Sequence, residues 1–102
     1  MGRLPYRIEY SPIAEEHLGT LTARQRAIVL DAIEEQLMRE PVVETRNRKP
    51  MRPNPVAPWE LRIGNLRAYY DIEEKPKRLV SIRAVGIKRR NRVYIGKEVF
   101  EL

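Results

Sequence analysis

Residues 59 to 72 read Trp59-Glu60-Leu61-Arg62-Ile63-Gly64-Asn65-Leu66-Arg67-Ala68-Tyr69-Tyr70-Asp71-Ile72, and the alternation in this stretch decides the fold. Trp59, Leu61 and Ile63, then Leu66, Ala68, Tyr70 and Ile72, share one parity, while Arg62, Arg67 and Tyr69 share the other. A two-residue period marks strands with one face on a core. Gly64-Asn65, with glycine first, fits a two-residue type II′ turn whose twist suits antiparallel strands. The stretch therefore predicts a β-hairpin.

Downstream, a polar turn around Lys75-Pro76-Lys77 precedes a further predicted strand from Leu79 to Ile87. Its parity is ambiguous, because Val80, Ile82 and Ala84 oppose Leu79, Ser81, Arg83, Val85 and Ile87. Upstream, residues 41 to 58 hold five of the eight prolines with Arg46, Arg48, Lys49 and Arg52 between them, which predicts a loop. At about 18 residues it is longer than most connections, and loops of that length in compact domains tend to be functional or disordered. Before it, Thr22-Ala23-Arg24-Gln25 has the form of a capping box. The apolar stripe Val29, Leu30, Ile33, Leu37 and Met38 continues from there as one face of a helix. A shorter helix is expected from Pro12 to about Leu18, with Ser11 as its cap, proline at its first position and Glu15 and Glu16 in its first turn. Tyr6 to Tyr10 alternate and read as a first strand.

The order strand, helix, helix, strand, strand, strand predicts one α+β domain over residues 1–102: an N-terminal strand, an antiparallel helix hairpin and a C-terminal antiparallel three-strand meander, with the helices on one face of the sheet. The opposite face is expected to be polar and open, carrying Arg62, Arg67 and Tyr69, with Arg83 beside them. The last strand runs into Lys88-Arg89-Arg90-Asn91-Arg92, and Tyr94 follows.

Composition narrows the chemistry. The 102 residues are 42% hydrophobic, enough for a modest core without metal or disulfide. There is no cysteine and a single histidine, His17, which excludes thiol nucleophiles, disulfides, iron–sulfur clusters and histidine-rich metal centres. Chemistry without metal or cofactor is the expectation. No apolar run reaches the 18 or more residues of a membrane span, and the first residues lack a signal-peptide stretch, so a cytoplasmic protein is expected. The net charge of +6 is regional: residues 1–40 hold 5 basic and 7 acidic side chains, leaving 15 and 7 for residues 41–102. A basic half points to a polyanion or an acidic protein partner.

Arginine forks match phosphate oxygens, and tyrosine stacks on bases or yields a proton, so Arg62, Arg67, Tyr69, Lys88 and Tyr94 suit single-stranded nucleic acid. RNA also brings its own nucleophile, the ribose 2′-hydroxyl. A metal-free protein needs only to orient it, accept its proton, stabilise the phosphorane and protonate the leaving oxygen. DNA lacks that nucleophile.

Residues 59–72 and the stretch Ala84-Val85-Gly86-Ile87-Lys88-Arg89-Arg90-Asn91-Arg92-Val93-Tyr94 resemble the RelE/ParE toxins, with the order of elements extending the resemblance over nearly the whole chain. The resemblance implies the toxin of a type II toxin–antitoxin pair, neutralised by a cognate antitoxin. Its RelE-like branch implies a ribosome-dependent mRNA endonuclease that inhibits translation; its ParE-like branch implies an inhibitor of DNA gyrase. An inactive regulatory binding module is a third reading. By the same resemblance the strand arginine that contacts the scissile phosphate is Arg67, the second cationic catalytic position is Lys88 or Arg89, and the C-terminal tyrosine is Tyr94. The basic loop positions correspond to Lys49 and Arg52. With Arg62, Arg83, Arg89, Arg90 and Arg92 they form the expected nucleic-acid-binding set around a catalytic set of Arg67, Lys88 and Tyr94.

Plainer roles stand beside these. Arg67 is placed to pair with Asp71 on its own strand or with Glu60 across the hairpin, and His17 reads as a surface or helix-packing residue. The run from Lys88 to Arg92 reads equally as a solvated basic end. Val99, Phe100 and Leu102 form an apolar tag that packs on the sheet edge or meets a partner.

Overall fold

The computed structural model describes residues 4–102. The chain runs β1 (Arg7–Tyr10), α1 (Pro12–Thr20), α2 (Ala23–Leu37), β2 (Arg48–Pro50), β3 (Trp59–Ile63), β4 (Leu66–Glu73), β5 (Leu79–Arg89), β6 (Arg92–Ile95) and β7 (Glu98–Phe100). It is an α+β fold whose single sheet has the order β2-β3-β4-β5-β6-β7, antiparallel throughout this path, with β1 paired parallel to β5.

The helices start where local chemistry predicts. Ser11 Oγ accepts the Ala14 N–H at 3.0 Å, and Thr22 and Gln25 exchange both capping-box bonds, at 3.0 and 3.1 Å. The first helix continues through Gly19 to Thr20 rather than stopping near Leu18. Arg26 accounts for the tidy turn beyond it, donating to the carbonyls of Leu18 and Leu21 at 3.0 and 3.2 Å. At the end of α2, Arg48 from β2 donates to Gln36 O at 2.7 Å and to Val43 O at 3.0 Å, tying the helix terminus to the loop that follows.

The main core lies between helices and sheet. Ala14 and Leu18 of α1 and Val29, Ile33 and Leu37 of α2 bury themselves on Leu61, Leu66, Ala68, Tyr70, Val80, Ile82 and Val85, with Trp59 packed alongside. The hairpin parity is as the sequence predicts. Gly64 takes φ +58°, the left-handed value its turn needs. Trp59 and Tyr70, paired across the hairpin, stack with ring centroids 5.9 Å apart.

The ambiguous parity of β5 has a physical cause. Tyr69 pairs with Ala84 but Tyr70 pairs with Ile82, so Arg83 is an extra residue in the ladder, a β-bulge. The bulge inverts the alternation. Val80 and Ile82 face the helices before it, Val85 and Ile87 face them after it, and Ala84 faces the other way.

The expectation of an open, polar second face is overturned. Tyr69, Ala84, Ala57, Val93 and Ile95 are buried together there, with Met51, Val56, Phe100 and Leu102 packed against them. The covering comes from the proline-rich segment and the β6–β7 hairpin. Part of that segment is itself a strand, β2, paired to β3 through Arg48↔Leu61 and Pro50↔Trp59. Asn54 orders the remainder: its Oδ1 accepts from Val56 and Ala57 N–H, at 2.8 and 3.0 Å, while its Nδ2 donates to the carbonyls of Arg52 and Ala57. The apolar tag divides, with Phe100 and Leu102 packed inward and Val99 exposed.

Candidate nucleic-acid interface

Cross-strand register places four polar residues of the central hairpin together on the second face. Glu60 pairs with Tyr69, and Arg62 pairs with Arg67. The second apolar layer closes over the inner two. Arg67 is only 7% exposed, and its Nη1 donates to Gly64 O at 2.7 Å and Leu66 O at 2.9 Å, so the side chain braces the hairpin turn. Tyr69 is fully buried, and burial first, then the nearby Glu60 charge, pushes its hydroxyl far above the ordinary phenol range. Tyr69 is a neutral group at any physiological pH.

Glu60 is the buried counter-charge. Its carboxylate accepts from Arg62 Nε at 2.7 Å and lies 3.8 Å from Arg67 Nε. Of the two pairings open to Arg67, the structure selects Glu60. Asp71 instead meets Arg83 of the bulge at 2.6 Å, an exposed pair of the kind worth roughly 0.2–1 kcal/mol.

Two basic concavities result. The first, about 480 Å³, is a groove lined by Lys49, Arg52, Glu60 and Arg62 together with the rest of the Pro50 to Asn54 loop, Glu101 and Leu102. Lys49 reaches Glu44 at 3.5 Å, again a partly exposed pair that a polyanion displaces at little cost. The second, about 520 Å³, lies at the tip of the β5–β6 hairpin among Arg89, Arg90, Asn91, Arg92 and Tyr94. Arg90 takes φ +59° in that turn, and the Arg89 guanidinium sits 5.5 Å from the centre of the Tyr94 ring.

The residues expected to act on phosphate are therefore not gathered at one point. Tyr94 pairs with Ile87, which packs on the helix side, whereas Arg67 pairs with Gly86 on the other face. Lys88 pairs with buried Val93 and so shares the Arg67 face by alternation. Gly86 leaves no gap beside Arg67: a Cβ there would stand 2.7 Å from Tyr94 O and 2.8 Å from Ile95 Cγ1. Lys49, Arg52 and Arg62 do converge, Arg89, Arg90 and Arg92 form a separate cluster, and Arg83 stands apart with Asp71.

The sequence offers Glu60 only as one of two partners for Arg67 and His17 only as a surface or helix-packing residue, and it gives Asn54 no role. For Glu60 a signal existed, an acidic residue directly opposite Tyr69 and flanked in register by two arginines. Among the described residues no group of three or more His, Asp or Glu is placed to hold a metal ion, and no helix is long and apolar enough to cross a membrane.

A two-helix layer on a largely antiparallel sheet, with a cationic groove and a cationic hairpin tip, defines a small basic α+β protein. No protein-family model matches the chain, and no curated protein sequence does. Among solved structures it is similar to the toxin–antitoxin complex RelBE2 from Mycobacterium tuberculosis, with a TM-score of 0.71 and 28% identity over 83% of this chain and 100% of that one. That likeness, over the whole length of the matched chain, supports a RelE-like toxin of a toxin–antitoxin pair.

Proposed function

We propose that this toxin is a metal-independent endoribonuclease that cleaves mRNA on the ribosome, and that a cognate antitoxin holds it inactive in the cytoplasm. The observation that carries this reading is the convergence of Lys49, Arg52 and Arg62 in one groove beside the hairpin arginine Arg67. Phosphates of a single strand lie along the groove, while Arg89, Arg90 and Arg92 hold flanking RNA at the hairpin tip and Arg83 lies beyond Arg52. In the chemical step the 2′-oxygen attacks phosphorus, its proton passes to a base in the groove, and the 5′-oxygen departs with a proton. The products are a 2′,3′-cyclic phosphate and a 5′-hydroxyl. The guanidinium groups stabilise the extra negative charge of the phosphorane, a role in which one well-placed donor is worth about 2.7–4 kcal/mol.

Arg67 acts on this centre from beneath, through Glu60 and Arg62. Lys88 shares the Arg67 face, but direct use of Tyr94 with Arg67 requires the β6–β7 hairpin to turn, because Tyr94 lies on the opposite side of β6 from Val93. The antitoxin partner is an acidic segment that folds on the toxin, complementary to the cationic groove and hairpin tip.

A second reading, inhibition of DNA gyrase, is favoured by the burial of Arg67, since a gyrase-binding toxin needs no arginine on a scissile phosphate. Programmed ribosomes with labelled mRNA, run beside a gyrase supercoiling assay, separate the two. Cleavage with unimpaired supercoiling supports the nuclease, and intact mRNA with inhibited supercoiling assigns the toxin to gyrase. Neither effect, together with normal growth on induced expression, assigns an inactive binding module.

A further inference from the structure

In the groove a single carboxylate, Glu60, stands among two guanidinium groups and a phenol but bonds only one of them. Glu60 bonds Arg62 at 2.7 Å, but its other oxygen stands 3.8 Å from Arg67 Nε, beyond hydrogen-bonding distance. Among the described residues, Arg67 Nε and the Tyr69 hydroxyl are both buried donors without a hydrogen-bond partner. Buried donors are ordinarily satisfied, so a pair of unsatisfied ones beside one carboxylate marks a place with more donor capacity than the carboxylate uses. Mobility differs between the arginines. Arg67 is clamped by the Gly64 and Leu66 carbonyls, whereas Arg62 has 44% of its side chain exposed and lines the groove. With Lys49 and Arg52 also lining it, an anion entering the groove meets three cationic side chains. A phosphate matches the arginine fork at least as well as a carboxylate and carries more acceptor oxygens.

We propose that Glu60 is the resident anion of a phosphate site: it neutralises and positions Arg62 while the groove is empty, and a backbone phosphate of single-stranded RNA takes Arg62 over on binding. The inference rests on the reading that the groove receives RNA, but its test does not use cleavage. Glu60 thereby sets the affinity threshold of the toxin, making weak polyanion contacts compete with an internal carboxylate.

The test compares the full-length wild type with Glu60→Gln for binding of a short mixed-sequence single-stranded RNA over a range of salt concentrations. Releasing Arg62 for one further phosphate steepens the log–log slope by about 0.7, which at 0.1 M salt is about fivefold tighter binding. Glu60→Asp keeps the charge near Arg67 but draws it back from Arg62. It gives a smaller gain of the same sign, and it decides the matter if the Gln variant does not fold. Inorganic phosphate at matched ionic strength, followed by thermal melting, forms the second arm: phosphate raises the melting temperature of Glu60→Gln more than that of the wild type. A gain with phosphate and no RNA binding by any form keeps the anion site and removes the RNA reading. Unchanged or weaker affinity for both probes in a folded variant overturns the proposal and leaves Glu60 as a structural ion-pair partner.

Discussion

His17 Nδ1 accepts the backbone N–H of Val85 at 3.2 Å, a side chain of the first helix completing a strand 68 positions away. The bond fills a gap in the sheet. Along one edge of β5, residues 79–82 pair with β1 and residues 87–89 pair with β6, leaving the bulge region between them without a strand. Ser11 N–H donates to Ile82 O, Ser11 Oγ donates to Arg83 O at 3.2 Å, and His17 takes the next free donor. The α1 helix thus substitutes for the missing strand, locking the helical layer to the strand that carries the basic hairpin.

The neutral imidazole is required for that bond, since a protonated Nδ1 is a donor. Burial lowers the His17 pKa below its usual value of 6.5, against the opposing pull of Glu16 and Glu98, with Arg83 also lining the same cavity. Below about pH 6.5 the unfolded chain therefore binds a proton that the folded chain resists, and stability falls as pH falls. Urea melts between pH 7.5 and 5 are expected to show this loss in the wild type. His17→Asn, whose amide oxygen takes the place of Nδ1, is expected to flatten it, and an equal slope in both proteins contradicts the role.

Gly86 is held by space. Its missing side chain lets the Tyr94 carbonyl and the Ile95 side chain come within 2.7 and 2.8 Å of where a Cβ would stand. Gly86→Ala forces β6 outward and is expected to cost about 1–3 kcal/mol by overpacking. Denaturant unfolding measures the loss, and faster amide exchange in Val93 to Ile95 locates it.

Asn54→Ala removes four hydrogen bonds that order the loop over the second apolar layer. With the Val56 and Ala57 N–H groups left to find new partners, a loss of about 1–3 kcal/mol is expected. Exchange of these two amides is expected to rise far more than exchange in the helix-facing core.

Much of this architecture is legible in the sequence, and the parts that are not share a cause. Ser11-Pro12, Thr22 with Gln25, and Gly64-Asn65 act through neighbours in the chain, so their patterns announce a helix start or a turn. Coverage of the second face depends on residues far apart in sequence, Met51, Val56, Ala57, Val93, Ile95 and Phe100, each too isolated to form a periodic stripe. Alternation of Val93, Ile95 and the apolar tag was the available trace of it. Because Arg67 lies under that cover, its residue type indicated a phosphate contact while its neighbours committed it to the hairpin turn. The bulge at Arg83 defeated parity for the same reason, being a property of the ladder between two strands.

Arg90 adopts a left-handed φ of 59° at the hairpin tip, where glycine is at ease and other residues are strained. Arg90→Gly is expected to stabilise the fold by relieving a left-handed cost of about 1–2 kcal/mol, offset in part by the greater freedom of glycine in the unfolded chain. Its effect on RNA is expected to be opposite in sign, with the salt slope shallower by about 0.7 if the side chain meets one phosphate. Thermal melting and a salt titration of RNA binding read the two effects separately.

Cleavage of ribosome-bound mRNA by the RNA's own hydroxyl is open to a direct measurement on programmed ribosomes carrying an mRNA with a single 2′-deoxy substitution at the cleaved nucleotide. Expected are cleavage of the all-ribose message, leaving a 2′,3′-cyclic phosphate, no cleavage at the substituted position, and a strong loss of rate when Lys49 and Arg52 are replaced together by glutamine. Cleavage that persists at the 2′-deoxy position, or an intact all-ribose message from a toxin that blocks gyrase supercoiling, contradicts it.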